Sequence, residues 1–174
     1  AEGVANPNGA VSLSGSTALT ATTTGSGDAG SIALSGNSIS MRGEFDDRVT
    51  IASESLQSNS GAPGAISLRA GSIDLTNTEI TGATATNIPH SLSPASVTIV
   101  AEDGDLTLQS TLLEVSTSGA NAAGKLDVAG RNIVVSGDSV ISSTTSSAGN
   151  AGSFSLGGSA GAKVDSVTLE GGAT

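Results

Sequence analysis

Pairs of aliphatic or aromatic residues separated by one residue recur along the chain. The residue between the two members is small or polar in most of these pairs. The pairs begin 34, 31, 29 and 28 positions apart, at Ile32-x-Leu34, Ile66-x-Leu68, Val97-x-Ile99, Leu126-x-Val128 and Phe154-x-Leu156. Because successive side chains of a β-strand alternate between its two faces, both members of a pair lie on one face. The pattern therefore predicts one short, half-buried strand at each recurrence.

A second pair and then a single anchor residue follow several of these first pairs. The second pairs are Ile73-x-Leu75, Leu106-x-Leu108 and Ile133-x-Val135, and the third anchors are Ile80, Leu113 and Val140. Residues 10–30 align without a gap on residues 132–152, which places Val11 on Ile133 and Ala18 on Val140. Three short strands in each repeat of about 28 residues are typical of a stacked solenoid.

The repeat predicts an all-β fold, a right-handed parallel β-helix with three sides and about five to six coils of roughly 28 residues. We expect a single domain over residues 1–174, with a partial first coil at 9–29 and later coils starting near 30, 64, 95, 124 and 152. Equivalent inward side chains of successive coils should stack on one another along the interior, and we call each such stack a file. One file should contain Ile32, Ile66, Val97, Leu126 and Phe154. A β-sandwich is the main alternative, but its strands need not recur at a fixed interval. Sustained helical spacing is missing, so we expect almost no helix.

The phrase GDAGSIALSG at residues 27–36 returns as GNAGSFSLGG at residues 149–158. We interpret it as the corner that turns the chain into the first strand of a coil. On this interpretation the corner glycines adopt positive φ, and Asp28 or Asn150 closes an Asx-type turn. The glycines concerned are Gly27, Gly30, Gly149 and Gly152.

Composition and charge narrow the classes of partner. Glycine, serine and threonine number 24, 30 and 19, a composition that flexible linkers share, but a linker has no reason to space aliphatic pairs regularly. The net charge is −10, and the six basic residues form no cluster, which argues against nucleic acid and anionic membranes as partners. The chain has no cysteine and therefore no disulfide or thiolate zinc site. No apolar run has the length of a membrane span, so we expect no membrane insertion.

Three stretches break the repeat, and insertions in a solenoid form corner loops that often carry binding function. They are MRGEFDDRVTI in coil 2, ATNIPHSLSP in coil 3 and VAEDGDL in coil 4. The first contains Asp46, Asp47 and Arg48, the best candidates for the acid and base of a polysaccharide lyase or hydrolase. The second contains His90, the single histidine, which we interpret as a solvated loop residue because a metal site needs several converging ligands.

Other candidate sites are weaker. Glu102, Asp103 and Asp105 could attract calcium, but they match no calcium-binding loop, and we interpret them as a solvated acidic corner. GGSAG at residues 157–161 matches the G-x-S-x-G of serine hydrolases without the strand–elbow–helix context. One serine or threonine recurs four residues after the third anchor of each coil and would form a column of hydroxyl groups. The column would be an ice-binding face if it pointed outward, although columns of hydroxyl groups that point inward are commoner. It comprises Thr22, Ser60, Thr84, Thr117 and Thr144, and the column two residues on is less regular. We assign no catalytic, cofactor-binding or metal-binding residue, and no cofactor.

GDAGSIALSGNSI, GNAGSFSLGG and ISSTTSSAGNAG resemble the repeats of secreted bacterial exoproteins of the filamentous haemagglutinin type. The resemblance covers roughly residues 10–156 and rests on a degenerate motif. It implies a right-handed parallel β-helix that acts at the bacterial cell surface as an adhesin or long scaffold. NPNG at Asn6–Gly9 is similar to a tetrapeptide of that family's secretion domain, but its usual bulky apolar flanks are missing, so we interpret it as a turn.

We therefore expect a non-catalytic structural or adhesive module of a secreted cell-surface protein. The chain enters in the middle of a coil and leaves through EGGAT without a capping helix. Open strand edges favour self-association. The expected partners are further copies stacked end to end or side to side, the rest of a longer exoprotein, or a carbohydrate or protein on a host or cell surface. A polysaccharide-active enzyme is the first alternative function and an ice-binding solenoid the second.

Overall fold

The computed structural model of the chain describes residues 9–85, 94–157 and 163–174. These ranges contain fourteen β-strands and no helix. The strands are β1 (Ala10–Ser14), β2 (Ala18–Thr23), β3 (Ile32–Arg42), β4 (Val49–Ser55), β5 (Ala65–Thr76), β6 (Thr78–Thr84), β7 (Ala95–Ala101), β8 (Asp105–Gln109), β9 (Leu112–Thr117), β10 (Gly124–Ala129), β11 (Asn132–Ser136), β12 (Val140–Thr145), β13 (Ser153–Gly157) and β14 (Ser166–Leu169).

The strands stack in parallel, each one pairing with its counterpart in the next coil. The first face contains the N-terminal halves of β3 and β5 and then β7, β10 and β13. The second face contains β1, the C-terminal halves of β3 and β5, and β8, β11 and β14. The third face contains β2, β4, β6, β9 and β12. The predicted three-stranded parallel β-solenoid is thereby confirmed, with about five turns.

The interior is built from aliphatic files that run along the stack. Strand pairing places Ile32, Ile66, Val97, Leu126 and Phe154 in the one file that the sequence predicted. Ile66, Val97 and Leu126 are fully buried, whereas 56% of Phe154 is exposed because it lies in the last coil. On the second face, Ile39 and Met41 supply a pair that the sequence analysis had not identified, and both are buried.

On the third face, two predicted anchors are wrong by one position. Ile80 pairs with Leu113 as predicted, but Leu113 pairs with Ile141, and Val140 lies one position earlier on the outer side. At the other end of the stack, Leu19 rather than Ala18 continues the file through Ile51. Three residues separate β11 from β12, whereas two separate β8 from β9. The extra corner residue moves β12 one position later in the sequence. The seven-residue spacing from Leu106 to Leu113 therefore becomes eight residues from Ile133 to Ile141.

The predicted conformation of the corner glycines is also wrong. None of Gly27, Gly30, Gly149 and Gly152 has a positive φ. Gly152 is required for another reason, because a Cβ there would lie less than 3.0 Å from the carbonyl of Gly124 in the coil below. Gly149 likewise approaches the backbone of Asn121, whereas a Cβ at Gly27 or Gly30 would meet nothing closer than 3.9 Å. Close approach between neighbouring coils therefore accounts for the glycines of the later phrase but not for those of the first.

Asp28 does not close a local turn. Its Oδ1 accepts a hydrogen bond from the amide of Ala62 in the next coil at 2.7 Å. The amide of Ala29 donates to the carbonyl of Ala62 at 2.8 Å. Asp28 therefore joins two coils, which a pattern confined to one coil could not reveal.

Candidate functional site

The corner between the second and third faces differs sharply in one coil. One to three residues form this corner in four coils, whereas six residues, 43–48, form it between β3 and β4. We call residues 43–48 the Phe45 loop. It lies within the MRGEFDDRVTI stretch and carries the predicted candidates Asp46, Asp47 and Arg48.

Backbone hydrogen bonds close the Phe45 loop into a two-residue turn. The amide of Glu44 donates to the carbonyl of Asp47 at 2.8 Å, and the amide of Asp47 donates back to the carbonyl of Glu44 at 3.1 Å. Phe45 and Asp46 occupy the two central positions of the turn. This pairing fixes the direction in which the tip of the loop projects.

The base of the Phe45 loop is attached to the next coil. The amide of Gly43 donates to the carbonyl of Thr76 at 3.0 Å, and the side-chain amide of Asn77 donates to the carbonyl of Glu44. A Cβ at Gly43 would meet three backbone atoms, those of Asn77, Asp47 and Arg48, at less than 3.0 Å. The loop is therefore tightly packed where it leaves the solenoid and free only at its tip.

The tip of the Phe45 loop is fully solvated. Phe45 is 97% exposed, and Glu44, Asp46, Asp47 and Arg48 are exposed as well. Among the described residues, the side chains of Asp46, Asp47 and Arg48 form no salt bridge or hydrogen bond with one another. The structure thus brings these candidates into one loop but does not assemble them into an acid–base pair. An exposed aromatic ring in the same loop as three exposed carboxylates is a feature that the sequence analysis missed.

The predicted acidic corner lies between β7 and β8 and contains hydrogen bonds between coils. Oδ1 of Asp105 accepts from Nδ2 of Asn132 at 2.7 Å, and the hydroxyl of Ser166 donates to Oδ1 of Asn132 at 3.0 Å. These bonds link three successive coils of the second face. Asp105 therefore has a structural role.

Two basic side chains lie beside the carboxylates of this acidic corner. Nε of Arg131 donates to Oδ2 of Asp165 at 2.6 Å, and this hydrogen bond, together with the charge of Asp165, raises the pKa of Arg131. Glu102, Asp103, Arg131 and Lys163 line an open pocket of about 420 Å³. No group of three or more histidine, cysteine or acidic residues suited to a metal ion occurs in the described ranges.

The predicted hydroxyl column does not form. Thr84 and Thr117 face the interior and are 3% and 2% exposed, whereas Thr22 and Thr144 lie on the outer side. Ser60 is buried in a corner outside the strands. Strand pairing instead aligns an inward column of Thr23, Ser55, Thr84, Thr117 and Thr145. Because the predicted residues lie on different sides of the sheet, they do not provide an ice-binding face.

The outer side of the third face has a shallow groove of about 490 Å³. Leu56, Glu114, Ser116 and Thr144 are among its lining residues. The hydroxyl of Thr144 donates to Oε1 of Glu114 at 2.9 Å. The sequence analysis did not single out Glu114, since nothing in the strand pattern indicates which outer residues border a groove.

His90 and Ser159 of the G-x-S-x-G match lie outside the described residues, as do Asn6, Pro7 and Asn8 of the NPNG turn. In the described ranges there is no helix with the length and apolarity that a membrane crossing requires. Comparison with protein-family models, curated proteins and solved structures found no match to the chain.

Proposed function

We propose that this chain is a non-catalytic structural module of a secreted bacterial cell-surface protein, and that it displays corner loops from a stiff solenoid. The observation that carries the proposal is the contrast between a regular stack and one enlarged corner. Five to six strands in constant register form each face, and the Phe45 loop projects from them on a hydrogen-bonded base. The likeness of its glycine- and serine-rich phrases to haemagglutinin-type repeats supports the proposed location.

Stiffness follows from the way the coils are joined. Each coil lies about 4.8 Å from the next, and parallel strand pairing on all three faces connects them. Buried aliphatic side chains fill the centre. Bending the stack would therefore break hydrogen bonds between paired strands and separate packed side chains of the core. Such a body holds a loop at a fixed distance and direction from the rest of a surface protein.

The described end coils leave interior residues exposed. Leu169 and Phe154 are 60% and 56% exposed in the last coil, although both belong to interior files. We propose that further coils extend these files, supplied either by a longer parent chain or by another copy stacked on the end. Covering apolar side chains of this size stabilises such an assembly.

Two measurements test the proposed function. Limited proteolysis should cut corner loops while leaving the strands intact, because strand amides are held in ladders. Incubation with acidic and neutral polysaccharides should release no reducing ends and no unsaturated sugar products. Turnover that D46N/D47N abolishes would replace this proposal with the enzyme alternative, and rapid cleavage within the strands would contradict a stiff scaffold.

A further inference from the structure

Phe45 is the most exposed large apolar side chain among the described residues, at 97%. The chain has only two aromatic residues, and the other, Phe154, belongs to an interior file. Phe45 belongs to no file and contacts no core cluster. An aromatic side chain held fully in water adds nothing to the fold, whereas aromatic side chains are enriched among the residues that dominate protein interfaces.

The loop that carries Phe45 is ordered before any partner binds. The paired hydrogen bonds between Glu44 and Asp47 close its turn, and Asn77 and Thr76 hold its base. Association with a preformed loop avoids much of the entropic cost of ordering a flexible segment. The other coils pass this corner with one to three residues, so the six-residue loop is not needed to close the solenoid.

The charge around the ring indicates which surface it fits. Glu44, Asp46 and Asp47 place three exposed carboxylates in the same short loop as Phe45, and Arg48 supplies one positive charge. Arg42, at the end of β3, is already paired with Asp74 of the next coil. The tip therefore has an apolar centre and a predominantly acidic rim.

We propose that the Phe45 loop inserts Phe45 into an apolar pocket on a protein partner whose rim carries lysine or arginine. The convex tip suits a concave pocket, and the acidic rim is complementary to a basic one. A second copy of this chain is a poor partner for the Phe45 loop. Its net charge of −10 would repel the acidic rim of the loop. The apolar pocket at the N-terminal end of the solenoid, lined by Leu19, Ile32 and Leu34 among others, has no charged residue among its described lining. The inference rests on the proposed display role and adds the chemical class of partner.

Binding of the full chain to three probe sets tests the inference. The probes are an array of purified extracellular and cell-surface proteins, an array of glycans, and vesicles of phosphatidylcholine with and without phosphatidylglycerol. The variants are F45A, F45L and D46N/D47N, with F154A as the matched aromatic control. Far-ultraviolet circular dichroism melting of each variant shows separately whether the scaffold is intact.

We expect protein binding that F45A weakens by at least about tenfold, F45L weakens less, and F154A leaves unchanged. D46N/D47N should slow association and flatten its dependence on salt, since the carboxylates steer the encounter. No bound protein on the array, binding unaffected by F45A, or Phe45-dependent binding confined to glycans or vesicles would overturn the inference. F45A should melt at the same temperature as the parent chain, so a loss of binding in F45A would not come from unfolding of the solenoid. Failure of the binding inference can therefore be told apart from failure of the proposed scaffold role.

Discussion

The interior of the middle coils and the corners between faces follow different physical constraints. In the interior, most aliphatic side chains lie above another aliphatic side chain of the next coil, as Leu75 lies against Leu108. At the corners, length and conformation change from coil to coil, from the single residue Asn77 to the six residues of the Phe45 loop. Strand alternation dictates the interior, whereas contact with the neighbouring coil dictates the corners.

Substitutions are expected to have different effects in these two environments. A substitution in an interior file is felt by the coils on both sides, because the core is close-packed. A substitution at a corner matters where the neighbouring backbone approaches, where φ is positive, or where the side chain bonds to the next coil, as that of Asp28 does. Comparing matched residues from the two environments separates these effects.

The largest effect should come from deleting interior side chains in a middle coil. Leu108 is fully buried in the core cluster, so L108A should lower the free energy of unfolding by about 2–5 kcal/mol. Leu169 belongs to the same file but is 60% exposed, so L169A should cost less than about 1 kcal/mol. Urea unfolding followed by circular dichroism measures both. Equal losses would show that the last coil is covered in solution.

The next effect concerns corner glycines and should depend on which glycine is changed. A Cβ at Gly64 would lie less than 3.0 Å from backbone atoms of Gly30 and Ser31, whereas a Cβ at Gly27 would meet nothing within 4 Å. G64A should therefore destabilise the chain by about 1–3 kcal/mol, and G27A should change stability by less than about 0.5 kcal/mol. The midpoints of urea unfolding provide the comparison. A tolerated G64A would contradict the close approach of these two coils.

The sequence was sufficient to predict the interior file of the first face. Ile66, Val97 and Leu126 could be placed in one file because alternation fixes the face of each residue and the repeat fixes its neighbour. The residues of the third-face file were harder to predict, since Ile141 rather than Val140 continues that file. An extra residue in the preceding corner shifts the strand by one without changing its composition.

The corners and the candidate site were less accessible to prediction, because the decisive contacts join residues about 30 positions apart. Asp28 bonds Ala62 rather than its own turn, and Gly152 is required by Gly124 of another coil. The sequence identified the insertion that contains Phe45 but not the exposure of the ring. Asn77 helps to hold the loop, and nothing in its own sequence context indicates that contact.

A smaller effect distinguishes two threonines of the inward hydroxyl column. The hydroxyl of Thr145 donates to the carbonyl of Gly149 at 2.9 Å, whereas the buried hydroxyl of Thr84 has no hydrogen-bond partner among the residues that the structure describes. T145V should cost about 1 kcal/mol, and T84V should be neutral or stabilising because it removes an unpaired polar group. Melting temperatures of the two variants test this contrast. A loss of stability in T84V equal to that in T145V would show that the Thr84 hydroxyl is paired in solution.

The smallest effect concerns the left-handed corner residue between the second and third faces. Ser110 has φ of 50° and Gly137, in the next coil, has φ of 63°. Because left-handed backbone is strained for residues with a Cβ, S110G should stabilise the chain by about 0.5 kcal/mol after the added flexibility of the unfolded glycine is included. G137A should destabilise it by about 1 kcal/mol, because the left-handed backbone is strained and because a Cβ there would lie 2.7 Å from Oγ of Ser110. Thermal unfolding should therefore shift in opposite directions. Shifts in the same direction would mean that side-chain contacts, rather than backbone strain, select the residue at this corner.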